Sequence, residues 1–183
     1  MMNRSKLTHI LRAIASVSNE GNFVLIGSAT VLLVSKNIPA DMLNTNEIDV
    51  YSPDAADPEW FSDLISGSIG RGSTFDNTFK YYADGVSAKT ATMPTDWSAR
   101  AQKFDDIGIA GVTVTVPDIN DIALAKMFAW REKDKIWLIA GVRSLILDPK
   151  QMQARLPQMP ETSTPMAELE RRMLVVLSYA GPA

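Results

Sequence analysis

Two short segments constrain this chain more than any others. Phe23-Val24-Leu25-Ile26 is an apolar run that ends in the small-residue turn Gly27-Ser28 and opens a helix. After a loop, Thr45-Asn46-Glu47-Ile48-Asp49-Val50-Tyr51 is a second short run with two carboxylates two residues apart. In a strand, residues i and i+2 share a face. Glu47 and Asp49 therefore point the same way, while Ile48 and Val50 point into a core. Two acids on one strand face repel unless a cation or proton lies between them, and a divalent metal with oxygen ligands suits that place. The Gly27-Ser28 turn offers backbone N–H groups and a helix start to a phosphate. Metal beside phosphate is the equipment of phosphoryl or nucleotidyl transfer.

Composition removes several other chemistries. The 183 residues contain no Cys and one His, His9 in an amphipathic stretch. Disulfides, thiolate metal sites, His-rich zinc sites and most His-based triads are excluded. A net charge of −3 argues against a broad nucleic-acid surface, though not against a local basic groove. The N-terminus lacks the apolar run of a signal peptide, and no stretch approaches the ~20 apolar residues of a membrane span. The expectation is a cytoplasmic protein with no membrane partner.

Hydrophobic spacing predicts an α/β (α+β) order, a mixed sheet flanked by helices with a helical C-terminal region. A helix is expected over 4–19, a strand over Phe23–Ile26, a helix over Ala29–Ser35 and a strand over Glu47–Tyr51. Asp57-Pro58 begins another helix that stops near Gly67, followed by a Gly- and Ser-rich loop to Ser73. Phe79 to Ala83 reads as a strand, Asp84-Gly85 as a turn and Val86 to Met93 as a return strand. Val112–Val116 is β-branched throughout, a strand. Pro117-Asp118 opens a helix to about Arg131, a second helix reaches about Ile146, and Asp148-Pro149 starts a third. A linker is expected over 157–165 and a last helix after Pro165. This divides the chain into a core of residues 1–117 and a helical region of residues 118–183 packed on it as one structural unit.

A Gly-Ser turn opening a helix, followed by Thr-x-acid-x-Asp on the next strand, resembles the nucleotidyltransferase fold of DNA polymerase beta-like enzymes. Two later segments, Tyr82 to Val86 and Thr90 to Arg100, resemble a bacterial group of uncharacterised nucleotidyltransferase-like proteins. So do Pro117-Asp118, Ile122 to Lys126 and Ala129 to Asp134. The last block is also similar to part of the nucleotidyltransferase toxins of type IV toxin–antitoxin systems. The likeness spans roughly residues 5–150.

The resemblance implies an NTP site with Mg2+ or Mn2+. Gly27 and Ser28 would hold the triphosphate, and Glu47 and Asp49 the metal. Such folds add a third carboxylate from a neighbouring strand; Asp84 is the candidate, and a plain Asp-Gly turn is the equal alternative. Lys126 or Arg131 would face the phosphates, although Lys126, Arg131, Lys133 and Asp134 also fit a solvated helix end. Trp130 would stack on a base or pack in the core, and Arg71 would reach phosphate or merely sit in a flexible loop. The acceptor would be RNA, protein or a small molecule. The family usually has Asp where this chain has Glu47. The competing expectation is therefore a binding module that keeps the fold without the chemistry, acting through a protein partner or as part of a toxin–antitoxin pair.

Overall fold

The computed structural model describes residues 1–160, 162 and 164–179. Helix α1 (Arg4–Ser18) starts where the Asn3 side chain accepts from Lys6 N–H and stops at Asn19, whose backbone is left-handed, a conformation Asn tolerates. Leu7, Ile10, Leu11 and Ile14 form its buried stripe. Strand β1 (Asn22–Ile26) follows. The helix expected after Gly27 is shorter and tighter than its sequence suggests, a 3₁₀ turn over Ser28–Thr30 running into α2 (Val31–Val34). Strand β2 (Glu47–Tyr51) has the expected bounds. Helix α3 (Pro58–Ile69) is capped by Asp57, whose Oδ1 accepts from the N–H groups of Glu59 and Trp60 at 3.1 and 3.0 Å.

The expected strand from Phe79, with a turn at Asp84-Gly85 and a return strand to Met93, is corrected. Thr74–Phe79 is a helix, α4, nucleated by Ser73, whose hydroxyl accepts from Asp76 N–H. Lys80 ends it in a left-handed conformation. Strand β3 then runs over Tyr82–Gly85, so Asp84 is a strand residue. Gly85 is small for a packing reason: a Cβ there would meet the Ser62 backbone of α3, and Ser62 Oγ donates to Gly85 O at 2.6 Å. The chain leaves the sheet after Val86 N–H bonds Val50 O at 2.9 Å. The early part of the expected Gly-rich loop is the last turn of α3.

The remaining elements are β4 (Gln102–Phe104), which the sequence does not announce, β5 (Thr113–Val116), α5 (Ile119–Ala129), α6 (Glu132–Arg143), α7 (Pro149–Arg155) and α8 (Met166–Leu177). In the expected linker, Leu156–Gln158 is a 3₁₀ turn, and Glu161 and Ser163 lie outside the described residues. The five strands form one mixed sheet in the order β3-β2-β1-β5-β4, antiparallel at β1–β2 and β4–β5 and parallel at β2–β3 and β1–β5.

Alternation sorts the strand residues onto two cores. Phe23, Leu25, Ile48, Val50 and Val114 pack on one face with Leu7, Ile10, Phe61 and Ile65 of α1 and α3. Val24 and Ile26 pack on the other with Ile122, Met127, Trp137 and Met173 of the C-terminal helices. Each fully buried side chain of this size contributes roughly 1.5–3 kcal/mol by its transfer from water. Arg100 joins Asp96 to the fully buried Asp121 on α5, fixing the loop before β4. No helix among the described residues is long and apolar enough to cross a membrane.

Candidate active site

The C-terminal end of β1 and the start of β2 form the floor of a polar depression. Gly27 leaves β1 with φ 79° and ψ −161°, which L side chains rarely adopt. A Cβ at this position would also run into the Asp49 carboxylate. The glycine thus both turns the chain and makes room for an acid on the adjacent strand. Thr30 Oγ1 closes the turn by donating to Gly27 O at 2.7 Å.

Lys126 reaches this turn from α5, its Nζ donating to Ser28 Oγ at 2.8 Å and to Asp134 Oδ1 at 3.1 Å. It is 6% exposed, and burial holds its ammonium below the ordinary lysine range against the opposing pull of Asp134. Asp134 is fully buried, and burial would raise it. The bonds from Arg131, whose Nε lies 2.7 Å away, and from Lys126 outweigh that and keep it low. Arg131 is the N-cap of α6 because Trp130 breaks the helix with φ 54°. Trp130 packs at the edge of the core between the Lys135 and Arg172 cations, each 5.5 Å from its ring.

The parallel pairing of β2 and β3 sets Glu47 beside Tyr82 and Asp49 beside Asp84. Register partners in a sheet share a face, so the three acids expected to act together lie on one side of it. Their electrostatics differ. Asp49 is pushed up to about 6, first by burial and then by Glu47 and Asp84. Asp84 is raised as well, by burial and by Glu47. Burial would also raise Glu47, but hydrogen bonds from Lys133 and Tyr82 bring it below its ordinary value. Lys133 Nζ donates to Glu47 Oε1 and Tyr82 OH to Oε2, both at 2.8 Å. Arg71 Nη2 lies 3.4 Å from Oε2, and Arg71 Nε donates to Tyr82 OH at 2.9 Å.

The acids therefore share a face without forming a closed cage. Among the described residues, no group of three or more His, Asp or Glu side chains stands ready around a metal. Asp49 and Asp84, in contrast to Glu47, take part in no ion pair among those residues. Two adjacent, uncompensated oxygen anions form a donor set that fits Mg2+ or Mn2+. Glu47 fits as a further ligand once its present partners are released.

Two hollows open at the site, and Glu47 borders both. The larger, about 440 Å³, is lined by polar groups that include Ser28, Asn44, Asn46, Arg71, Tyr82 and Lys133. The smaller, about 300 Å³, sets Gly27, Asp49, Lys126 and Arg131 against an apolar wall of Ile122 and Phe128.

Gly27, Ser28, Glu47, Asp49, Asp84 and Lys126 are thus gathered at one place; Arg131 borders the smaller hollow with its guanidinium committed to Asp134. The engagement of Glu47 by Tyr82 and Lys133 is not foreseen from the sequence. Tyr82 carries a signal, since it lies two residues before Asp84 and must share its strand face. A family model described as "Nucleotidyltransferase of unknown function (DUF6036)" matches residues 5–180. No curated protein and no solved structure matches the chain.

Proposed function

The chain belongs to the DUF6036 nucleotidyltransferase family, and from that premise we propose that it transfers NMP from an NTP to a hydroxyl or phosphate acceptor with the aid of a divalent metal. The observation that carries this reading is the pairing of Asp49 with Asp84 directly beside the Gly27 turn. That arrangement puts uncompensated carboxylates next to a phosphate-sized set of donors.

The NTP's phosphates would meet the Ser28 hydroxyl and the ammonium of Lys126, 2.8 Å apart. Asp134 holds the Lys126 amine against Ser28 before the substrate arrives, and preorganisation of this kind stabilises a transition state without further rearrangement. Ile122 and Phe128 give a nucleobase an apolar surface. Asp49, Asp84 and a freed Glu47 would hold Mg2+ or Mn2+, which supplies Lewis acidity at the reacting phosphate. The acceptor oxygen forms a bond to the α-phosphorus, and the bond from that phosphorus to the bridging oxygen breaks. Pyrophosphate leaves with the electron pair. Asp84 would serve either as a ligand of that metal or as the base that takes the acceptor's proton.

The test is incubation of purified protein and Mg2+ or Mn2+ with each α-labelled NTP, alongside cellular RNA, protein and small-molecule fractions. Label transfer with release of pyrophosphate is expected in one fraction. Nucleotide binding without transfer to any fraction would leave a binding module. Titration calorimetry showing no heat for any of the four NTPs with either metal would overturn the reading altogether.

A further inference from the structure

Of the three acids on this sheet face, Glu47, Asp49 and Asp84, Glu47 is the one whose negative charge is already answered among the described residues. Both of its oxygens are taken, Oε1 by Lys133 and Oε2 by Tyr82, with Arg71 behind the tyrosine. The two cations differ in kind from Lys126. The Lys133 side chain is 56% exposed and that of Arg71 74% exposed, whereas the Lys126 side chain is 7% exposed. Exposed ion pairs are weak because water competes for both partners. These two cations can therefore leave Glu47 at small cost, and Lys126 cannot leave its place. All three acid-binding groups, Lys133, Arg71 and Tyr82, also border the larger hollow together with Ser28. Anything anionic that enters along Ser28 meets the cations now resting on Glu47. A polyphosphate offers them several charged oxygens in place of one carboxylate, with charge-assisted bonds at least as strong.

We propose, resting on the nucleotidyl-transfer reading, that Lys133 and Arg71 keep Glu47 away from the metal until a nucleoside triphosphate arrives, and that the polyphosphate draws both cations off and releases Glu47 to join Asp49 and Asp84. The length of Glu47 serves this exchange, since the added methylene gives its carboxylate the reach to rest on Lys133 or to return toward Asp49. Free protein then loads metal poorly, and metal and nucleotide each strengthen the binding of the other, because a coupling between two ligands is reciprocal.

The test measures Mn2+ alone binding to the full chain, without nucleotide, by electron paramagnetic resonance of the free ion. Lys133→Met should tighten Mn2+ binding by about 1.5- to fivefold, the range an exposed ion pair allows, and Arg71→Met should act in the same direction. The double variant Glu47→Gln/Lys133→Met should return to the wild-type level or below, because no carboxylate is left to release. Unchanged or weaker Mn2+ binding by both single variants overturns the proposal. A parallel titration follows a fluorescent α,β-methylene ATP at increasing free Mn2+; its affinity should rise more steeply for the wild type than for Lys133→Met. If the wild type binds no analogue at any Mn2+ concentration, the nucleotidyl-transfer reading fails, and the nucleotide-free titration still decides whether Lys133 restrains Glu47.

Discussion

Asp49 and Asp84 are register partners across the parallel β2–β3 pair, and the Asp49 carboxylate fills the space that a side chain at Gly27 would need. A sheet that places two acids side by side, and a third, Glu47, two residues along one strand, accepts repulsion in the ligand-free state. Such repulsion at a polar depression is a feature of binding sites more than of stability.

Removing one charge should therefore stabilise the free protein. Burial, with Glu47 and Asp84 beside it, pushes Asp49 up to about 6 in the folded chain from its ordinary 3.8. Between those values the folded state holds a proton that the unfolded state has lost, so the wild type loses stability as pH rises through about 4 to 6 and does not regain it above. Asp49→Asn carries no such deficit. Denaturant unfolding at pH 7.5 should show the variant more stable by about 1–3 kcal/mol, the range such a shift allows, with the gain gone at pH 3.5. The same variant should lose metal-dependent NTP binding. Equal stability at both pH values would contradict the environment described for Asp49.

Gly27→Ala should fail for two reasons that can be separated. The backbone there has φ 79° and ψ −161°, and imposing such a conformation on a residue with a Cβ costs about 1–3 kcal/mol. The new methyl group must also displace the Asp49 carboxylate. In a double-mutant cycle with Asp49→Ala, the second cost should disappear while the first remains, giving a clearly less than additive loss. Strict additivity in thermal or urea unfolding would show that the two residues do not share this space.

The two lysines at the site should differ widely in what their truncation costs. Lys126→Ala leaves the fully buried Asp134 with only the exposed Arg131 as a partner, and breaking a buried pair in this way costs about 3–5 kcal/mol. Lys133→Ala removes an exposed pair and should cost at most about 1 kcal/mol. Parallel urea curves for the two variants check the order; a larger loss for Lys133→Ala would reverse it.

How legible each element is depends on how local its cause is. Strand β2 announces itself, because Ile48 and Val50 alternate with Glu47 and Asp49 over the whole segment, and the Gly27 turn follows directly from its apolar run. Asp84 is harder. Asp84-Gly85 has the composition of a turn, and the reason for the glycine is the Ser62 backbone 23 residues away on α3. Ser73 with Asp76 starts a helix that runs to Phe79, the first residue of the strand that the aromatic residues suggest. Strand β4 is short, largely exposed and paired only with β5, so no buried alternation marks it. The contact of Lys133 with Glu47 is hidden for a similar reason: the lysine has the surroundings of an ordinary helix surface, and Glu47 is 86 residues distant. Side-chain chemistry carried by a strand pattern or a tight turn is readable, and chemistry created by tertiary approach is not.

Glu47→Asp brings these arguments together. Shortening the side chain by one methylene withdraws its carboxylate from Lys133 Nζ and Tyr82 OH, each now 2.8 Å away, and brings it nearer the backbone of β2 and the Asp49 side. The lost contacts involve an exposed cation and a tyrosine hydroxyl, so stability should fall by no more than about 1–2 kcal/mol. Mn2+ binding without nucleotide should become tighter than in the wild type, since the acid is no longer held apart from its neighbours. Glu47→Gln keeps the length and one acceptor but has no charge for a cation, so its Mn2+ binding should become weaker. The opposite signs separate a metal ligand from a residue that merely anchors Lys133, because an anchor would respond alike to either change. If the two variants shift Mn2+ affinity in the same direction, Glu47 does not belong to the metal set, and Asp49 with Asp84 must hold the ion alone.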